Sequence, residues 1–131
     1  MSPRWVMRYT IVQNLDRPDM PPLVARYCAS FVCQLRGLMF SPPLAPDRAL
    51  MLVQARDSRV EAAIHMLFMR MDLAVAWVNA ENRVVDVRLA RRWRPVYVPQ
   101  AAAKYVLEMN VARLSDFRVG DRLRFDEAWV D

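Results

Sequence analysis

His65 is the only imidazole in the 131-residue chain, so any histidine-dependent acid or base must be this side chain. It sits in the run Ile64-His-Met-Leu-Phe-Met-Arg70, and neither a Ser-His-Asp nor a Cys-His spacing accompanies it. A hydrogen-bonded structural histidine at a strand edge is the favoured reading. Cys28 and Cys33 are the only thiols. With one histidine they cannot complete a four-ligand zinc site, so no metal centre is expected. No local charge polarises Cys33 as a nucleophile. Both cysteines are read as free buried thiols, because a strand-to-helix corner does not guarantee the separation that a disulfide needs.

Arg36 precedes Gly37, where a backbone can approach a ligand closely and a guanidinium can clamp a carboxylate or phosphate. The competing reading makes Arg36 a bridge to Glu108 or Asp72 across a close-packed crossing. Arg88, Arg91, Arg92 and Arg94 surround Trp93, with Tyr97 nearby. Such a mixture can stack bases and hold phosphates, but Trp93 as an edge packing residue is preferred and nucleic-acid binding is disfavoured. Gly37 and Gly120 are the only glycines, which excludes a glycine-rich phosphate loop of the P-loop or Rossmann kind. The nine methionines read as flexible core filler.

The elements that must position these residues belong to one domain, spanning 1–131. The chain is 55% hydrophobic and 25% charged, ordinary for a folded protein and unlike a disordered one. No apolar run approaches the roughly 20 residues of a membrane helix. The net charge is +5, and all but one of the 19 basic residues are arginine, Lys104 being the exception. That excess raises affinity for polyanions without implying a dedicated site. Arginines near the N-terminus interrupt any secretory apolar core, so a cytoplasmic location is expected.

Trp5–Leu15 reads as a first strand and Leu23–Cys28 as a second. Ser30 is the expected cap of a short helix carrying Phe31, Leu35, Leu38 and Met39 on one face, stopped by Ser41-Pro-Pro43. Ala49–Gln54 and Ile64–Met71 read as buried strands, with 55–63 as a loop between them. Leu73–Val78 and Arg83–Leu89 flank Asn79-Ala-Glu-Asn82 as a hairpin, with Asn82 supplying the left-handed residue. Alternation predicts Val85 and Val87 inward, Asp86 and Arg88 outward. Tyr105–Met109 is a further strand, Val111–Phe117 a short helix, and Arg122–Asp126 a last strand. The pattern argues a mainly β domain: an antiparallel sandwich or partly closed barrel with one or two short peripheral helices.

Arg36-Gly-Leu-Met39, the strand Leu50–Val53, Ile64–Arg70, Arg83-Val-Val-Asp-Val87, Trp93-Arg-Pro95, Tyr105-Val-Leu-Glu108 and Gly120-Asp-Arg-Leu123 occur in an order that resembles the domain of unknown function 192 family. The resemblance covers about 23–126. It implies a small β-sandwich of jelly-roll type, with no established activity, substrate or cofactor. Ser41 stands where members often carry Arg, and Ala49 and Asn82 where they often carry Gly. The usual Pro-hydrophobic-Asp is replaced by Asp72-Leu73-Ala74. An acid expected at Ala74 is therefore missing unless Asp72 has taken its place, which argues against turnover.

A non-catalytic binding or interaction module with no cofactor is the resulting expectation. Its partner would be a protein or a small anionic ligand. Arg36 would be the anion clamp, His65 a neutral hydrogen-bonding group, Arg70 a second cation and Trp93 a stacking wall. The alternative class is a small enzyme with a cleft joining His65, Arg36 and Asp72 and acting on an anionic or carbonyl substrate.

Overall fold

The computed structural model describes residues 7–130, so Trp5 and Val6 of the expected first strand lie outside the described residues. The strands are β1 (Met7–Asn14), β2 (Leu23–Cys28), β3 (Arg48–Ser58), β4 (Leu73–Val78), β5 (Val84–Ala90), β6 (Ala103–Met109) and β7 (Leu123–Val130). A six-residue helix, α1 (Phe31–Arg36), follows β2, and a 3₁₀ turn (Val111–Asp116) follows β6. The fold is thus mainly β, built as one seven-stranded sheet in the order β5-β4-β6-β3-β2-β1-β7. Its pairings are antiparallel except β2 with β3, which run parallel and make the sheet mixed. Adjacent parallel strands need a long crossover, and residues 29–47, carrying α1, supply it.

The sheet curls. Val12, Leu23, Met51, Val78, Val84, Leu107 and Leu123, one from each strand, form a single buried cluster on its concave side. On the other face Leu50, Leu52, Val75, Trp77 and Val106 meet Leu38, Ile64, Met66, Met69 and Tyr97 from the connecting segments. Burial on both faces explains why β4 is buried at all six positions. At one end the curl brings β5 to β7: Arg83 bridges Arg122, and Leu123 N–H donates to the Asn82 carbonyl at 2.8 Å. That contact is confined to the strand ends, so the sheet is not a closed barrel.

Four expectations need correction. The hairpin of β4 and β5 forms as expected, with Asn82 at φ 62°, but its register shifts between Trp77 and Val78. Trp77 pairs with Asp86 and Val78 with Val84, leaving Val85 as the extra residue of a bulge. The bulge inverts the alternation: Asp86 is buried, while Val85 and Val87 are half-buried and pack against opposite clusters. Asp86 is satisfied there by the Gln100 N–H at 3.0 Å and Arg88 at 3.0 Å.

Ile64–Met71 is not a strand. Only Ile64 bridges, to Tyr97, and Phe68 turns the chain at φ 60°. The run is apolar because it lays Ile64, Met66 and Met69 over the convex face. In the opposite direction, β3 continues four residues beyond the expected strand end, to Ser58. The cysteines are not free: Cys28 and Cys33 form a disulfide. Ser30 caps α1 by accepting from the Cys33 N–H at 3.1 Å, and this first turn folds Cys33 back over the end of β2. The resulting Cα separation of 5.8 Å is within bridging range.

Candidate functional site

A cavity of about 50 Å³ lies where the end of α1 meets the convex face of the sheet. Its walls include Arg36, Gly37, Gln54, Glu61, His65 and Glu108. The crossover delivers Arg36 and Gly37, β3 delivers Gln54, and the non-strand segment after β3 delivers Glu61 and His65. Glu108 is the penultimate residue of β6, paired with Leu50 on one side and Val75 on the other.

Glu108 is only 4% exposed, and its Oε1 is buried without a hydrogen-bond partner. Burial pushes its carboxyl from the usual carboxylate range up to about 7. Gly37 ends α1 at φ 48°, ψ −122°, donating its N–H to the Cys33 carbonyl at 2.8 Å. A Cβ at Gly37 would stand 3.7 Å from Glu108 Oε1, an ordinary contact. The glycine is therefore demanded by the backbone turn, not by crowding.

His65 Nε2 lies 3.0 Å from the Leu35 carbonyl. A carbonyl only accepts, so Nε2 carries the proton, and in the neutral ring Nδ1 is a lone-pair acceptor. Nδ1 is buried without a partner as well. Gln34 ties α1 to the sheet, donating to the Ala29 carbonyl at 3.1 Å and the Val53 carbonyl at 2.8 Å. Its Oε1 accepts from Gln54 Nε2 at 2.8 Å.

Arg36 lines the cavity but forms no ion pair among the described residues, so the expected bridge to Glu108 or Asp72 is absent. Asp72 is engaged elsewhere. It accepts the Arg92 N–H at 2.9 Å and lies 3.4 Å from the Arg92 guanidinium. The cavity thus joins His65 and Arg36 without Asp72, and Ala74, where the family acid was sought, is buried in the concave core.

Trp93 and Arg70 do not line the cavity. Trp93 belongs to a surface row of aromatic rings. Phe40 and Phe68 have centroids 5.2 Å apart, and Phe68 meets Trp93 edge-on at 5.1 Å. The three side chains are 64, 44 and 56% exposed, and all three have positive φ, at 60°, 60° and 69°. Backbone bonds stitch their loops together: Phe40 N–H donates to Phe68 at 3.0 Å and Trp93 N–H to Met66 at 2.7 Å. Exposed Arg70 lies two residues beyond Phe68, and Arg94 lies over the Tyr97 ring at 5.0 Å.

Five site residues escaped the sequence reading: Gln34, Gln54, Glu61, Phe40 and Phe68. Glu108 was noticed only as a possible partner for Arg36. A carboxylate inside the apolar strand Tyr105–Met109 was the available signal for its role. Nothing in the sequence marks Phe40 and Phe68 as left-handed.

The DUF192 family model, "Uncharacterized ACR", matches residues 15–125. A UPF0127 protein of Thermococcus gammatolerans is 38% identical over 99 residues, covering 74% of this chain and 63% of that protein. The chain therefore spans less than two thirds of that relative's length. A UPF0127 protein of Pyrococcus furiosus is 34% identical over 115 residues, covering 86% of this chain and 96% of the relative. Two crystal structures share the fold. One, from Sinorhizobium meliloti 1021 and provisionally named a transcription regulator, has a TM-score of 0.76 at 18% identity and covers 92% of this chain and 93% of its own. The other, a protein of unknown function from Novosphingobium aromaticivorans, has a TM-score of 0.73 at 19% identity, with 90% and 84% covered. By the extent of the family match and the identity to both archaeal relatives, the chain belongs to the DUF192 family, that of the UPF0127 proteins.

Proposed function

We propose that the domain is a non-catalytic binding module that holds an acidic segment of a protein partner against the Phe40–Phe68–Trp93 row. The single observation behind this reading is that three touching, exposed aromatic residues all occupy left-handed backbone. A bulky residue held there costs on the order of 1–3 kcal/mol. Three such costs, with the rings left in solvent, do nothing for the domain's own core. A contiguous exposed apolar patch is the usual mark of an interaction surface. Charge selects the partner: Arg36, Arg70, Arg91 and Arg94 lie in the same segments and form no ion pair among the described residues.

The finer architecture fits a jelly-roll-type sandwich, supported by the curled sheet and the meeting of β5 with β7. No helix among the described residues is long and apolar enough to cross a membrane. The cytoplasmic location expected from sequence is weighed against the Cys28–Cys33 disulfide, which favours an oxidising compartment, and we take the latter.

Binding of labelled Asp/Glu-rich peptides carrying Phe or Leu, followed by fluorescence anisotropy, tests the reading. Trp93→Gly and Phe68→Gly should abolish binding without lowering the melting temperature, because glycine relieves the left-handed backbone. Unchanged binding by both variants, or binding of single-stranded oligonucleotides in place of peptides, would overturn it.

A further inference from the structure

We propose that the cavity beneath Gly37, between Glu108 and His65, is a subsite for the tip of a primary ammonium group. This subsite is separate from the aromatic row. Glu108 Oε1 and His65 Nδ1 line one cavity, both buried and both without a partner. The ionised Glu108 is an acceptor, and so is Nδ1 of the neutral imidazole, whose other nitrogen is committed to the Leu35 carbonyl. Gln54 also lines the cavity: one hydrogen of its Nε2 goes to Gln34 Oε1 at 2.8 Å, and its own Oε1 is a further acceptor. Buried polar atoms without partners are costly, and Glu108 Oε1 and His65 Nδ1 both ask for donors.

An ammonium supplies three donors and no acceptor, enough for both atoms and of the kind they lack. An anion would meet a buried carboxylate, so the anionic ligand expected for Arg36 does not suit this cavity. Among the described residues no three His, Cys, Asp or Glu side chains come together as a metal-ligand set, so donor groups fit better than a metal ion.

The charged and titratable groups facing the space are Arg36 from α1, Glu61 and His65 from the segment after β3, and Glu108 from β6. Glu61 is ion-paired with Arg56 at 3.8 Å, so the ionised Glu108 is the carboxylate that would meet a cation. The volume admits a head group and little more. The amine is therefore either a small free amine or the end of a lysine side chain.

The raised Glu108 carboxyl supplies a distinctive readout. A cation beside it stabilises the ionised form, so binding below neutral pH should release a proton and binding in mild alkali should not. The experiment is a carbon-detected NMR titration of the Glu108 carboxyl in the full chain, with methylammonium as probe. Saturable binding that moves the Glu108 midpoint to lower pH is expected. Glu108→Gln should weaken methylammonium binding about tenfold or more, as loss of a charged acceptor does. Tetramethylammonium, which has no N–H, should leave the Glu108 signal unmoved.

N-acetyl-lysine amide distinguishes the two sources: binding that Glu108→Gln removes assigns the subsite to a polypeptide lysine, and binding of methylammonium alone assigns it to a free amine. Absence of saturation by either amine, an unmoved Glu108 midpoint, or equal response to tetramethylammonium would overturn the proposal. The wild-type comparisons decide the matter even if Glu108→Gln fails to fold.

Discussion

Arg113 and Asp116 are ion-paired at 2.6 Å across one turn of the 3₁₀ segment, with the guanidinium buried. The same guanidinium donates to the Pro46 carbonyl at 2.8 Å and the Pro21 carbonyl at 2.7 Å. It therefore joins three loops that share no strand. Arg113→Ala would leave a carboxylate and two carbonyls unpaired and should cost about 3–5 kcal/mol in urea unfolding. Arg113→Lys should recover only part of this, because an ammonium cannot reproduce the planar fork.

Stability should fall with pH through the titration of Glu108. Its folded carboxyl is raised from 4.5 to about 7, so between those values the folded protein holds a proton that the unfolded chain releases. The favourable contribution is complete below about pH 4.5 and is lost as pH approaches 7, a total on the order of 3 kcal/mol. Denaturant unfolding at several pH values should show this slope in the wild type, and its disappearance in Glu108→Gln.

Native protein treated with an alkylating reagent should gain no groups before reduction and two after it. The bridge closes a short loop, so the chain-entropy estimate for Cys33→Ser is a loss of about 2 kcal/mol. Two modified thiols in unreduced protein would contradict the disulfide.

Asp86→Ala should destabilise the domain by about 2 kcal/mol, because it removes a buried carboxylate that accepts from the Gln100 N–H and pairs with Arg88. Asp86→Asn should be milder, since a side-chain oxygen remains to accept. Had the alternating register held, both substitutions would be nearly neutral, so thermal unfolding of the pair tests the bulge directly.

Strand content was readable wherever one signal dominated. The apolar run of β4, the Asn82 turn and the Ser30 cap are local features, and each lies where its residues indicate. Periodicity failed where the backbone departed from a regular ladder. One extra residue at Val85 put Asp86 inside, and a left-handed Phe68 made a covering segment of what reads as a strand. The parallel pairing of β2 with β3 has no local signature at all. For the site, Arg36, Gly37 and His65 were visible as unusual residue types. Their gathering around Glu108 depends on a crossover laid against β6, 71 positions after Gly37, which spacing cannot reveal.

The placement of β1 between β2 and β7 has a kinetic consequence. Asn14 donates to Asp121, 107 positions along the chain, and the β1–β7 ladder runs through eight residue pairs. Closing so long a loop is entropically unfavourable until late, and domains dominated by such pairings fold on the slower, millisecond-to-second scale. During synthesis the early β1–β2 hairpin would leave one edge of β1 unpaired until β7 has left the ribosome, a period in which a chaperone could occupy that edge.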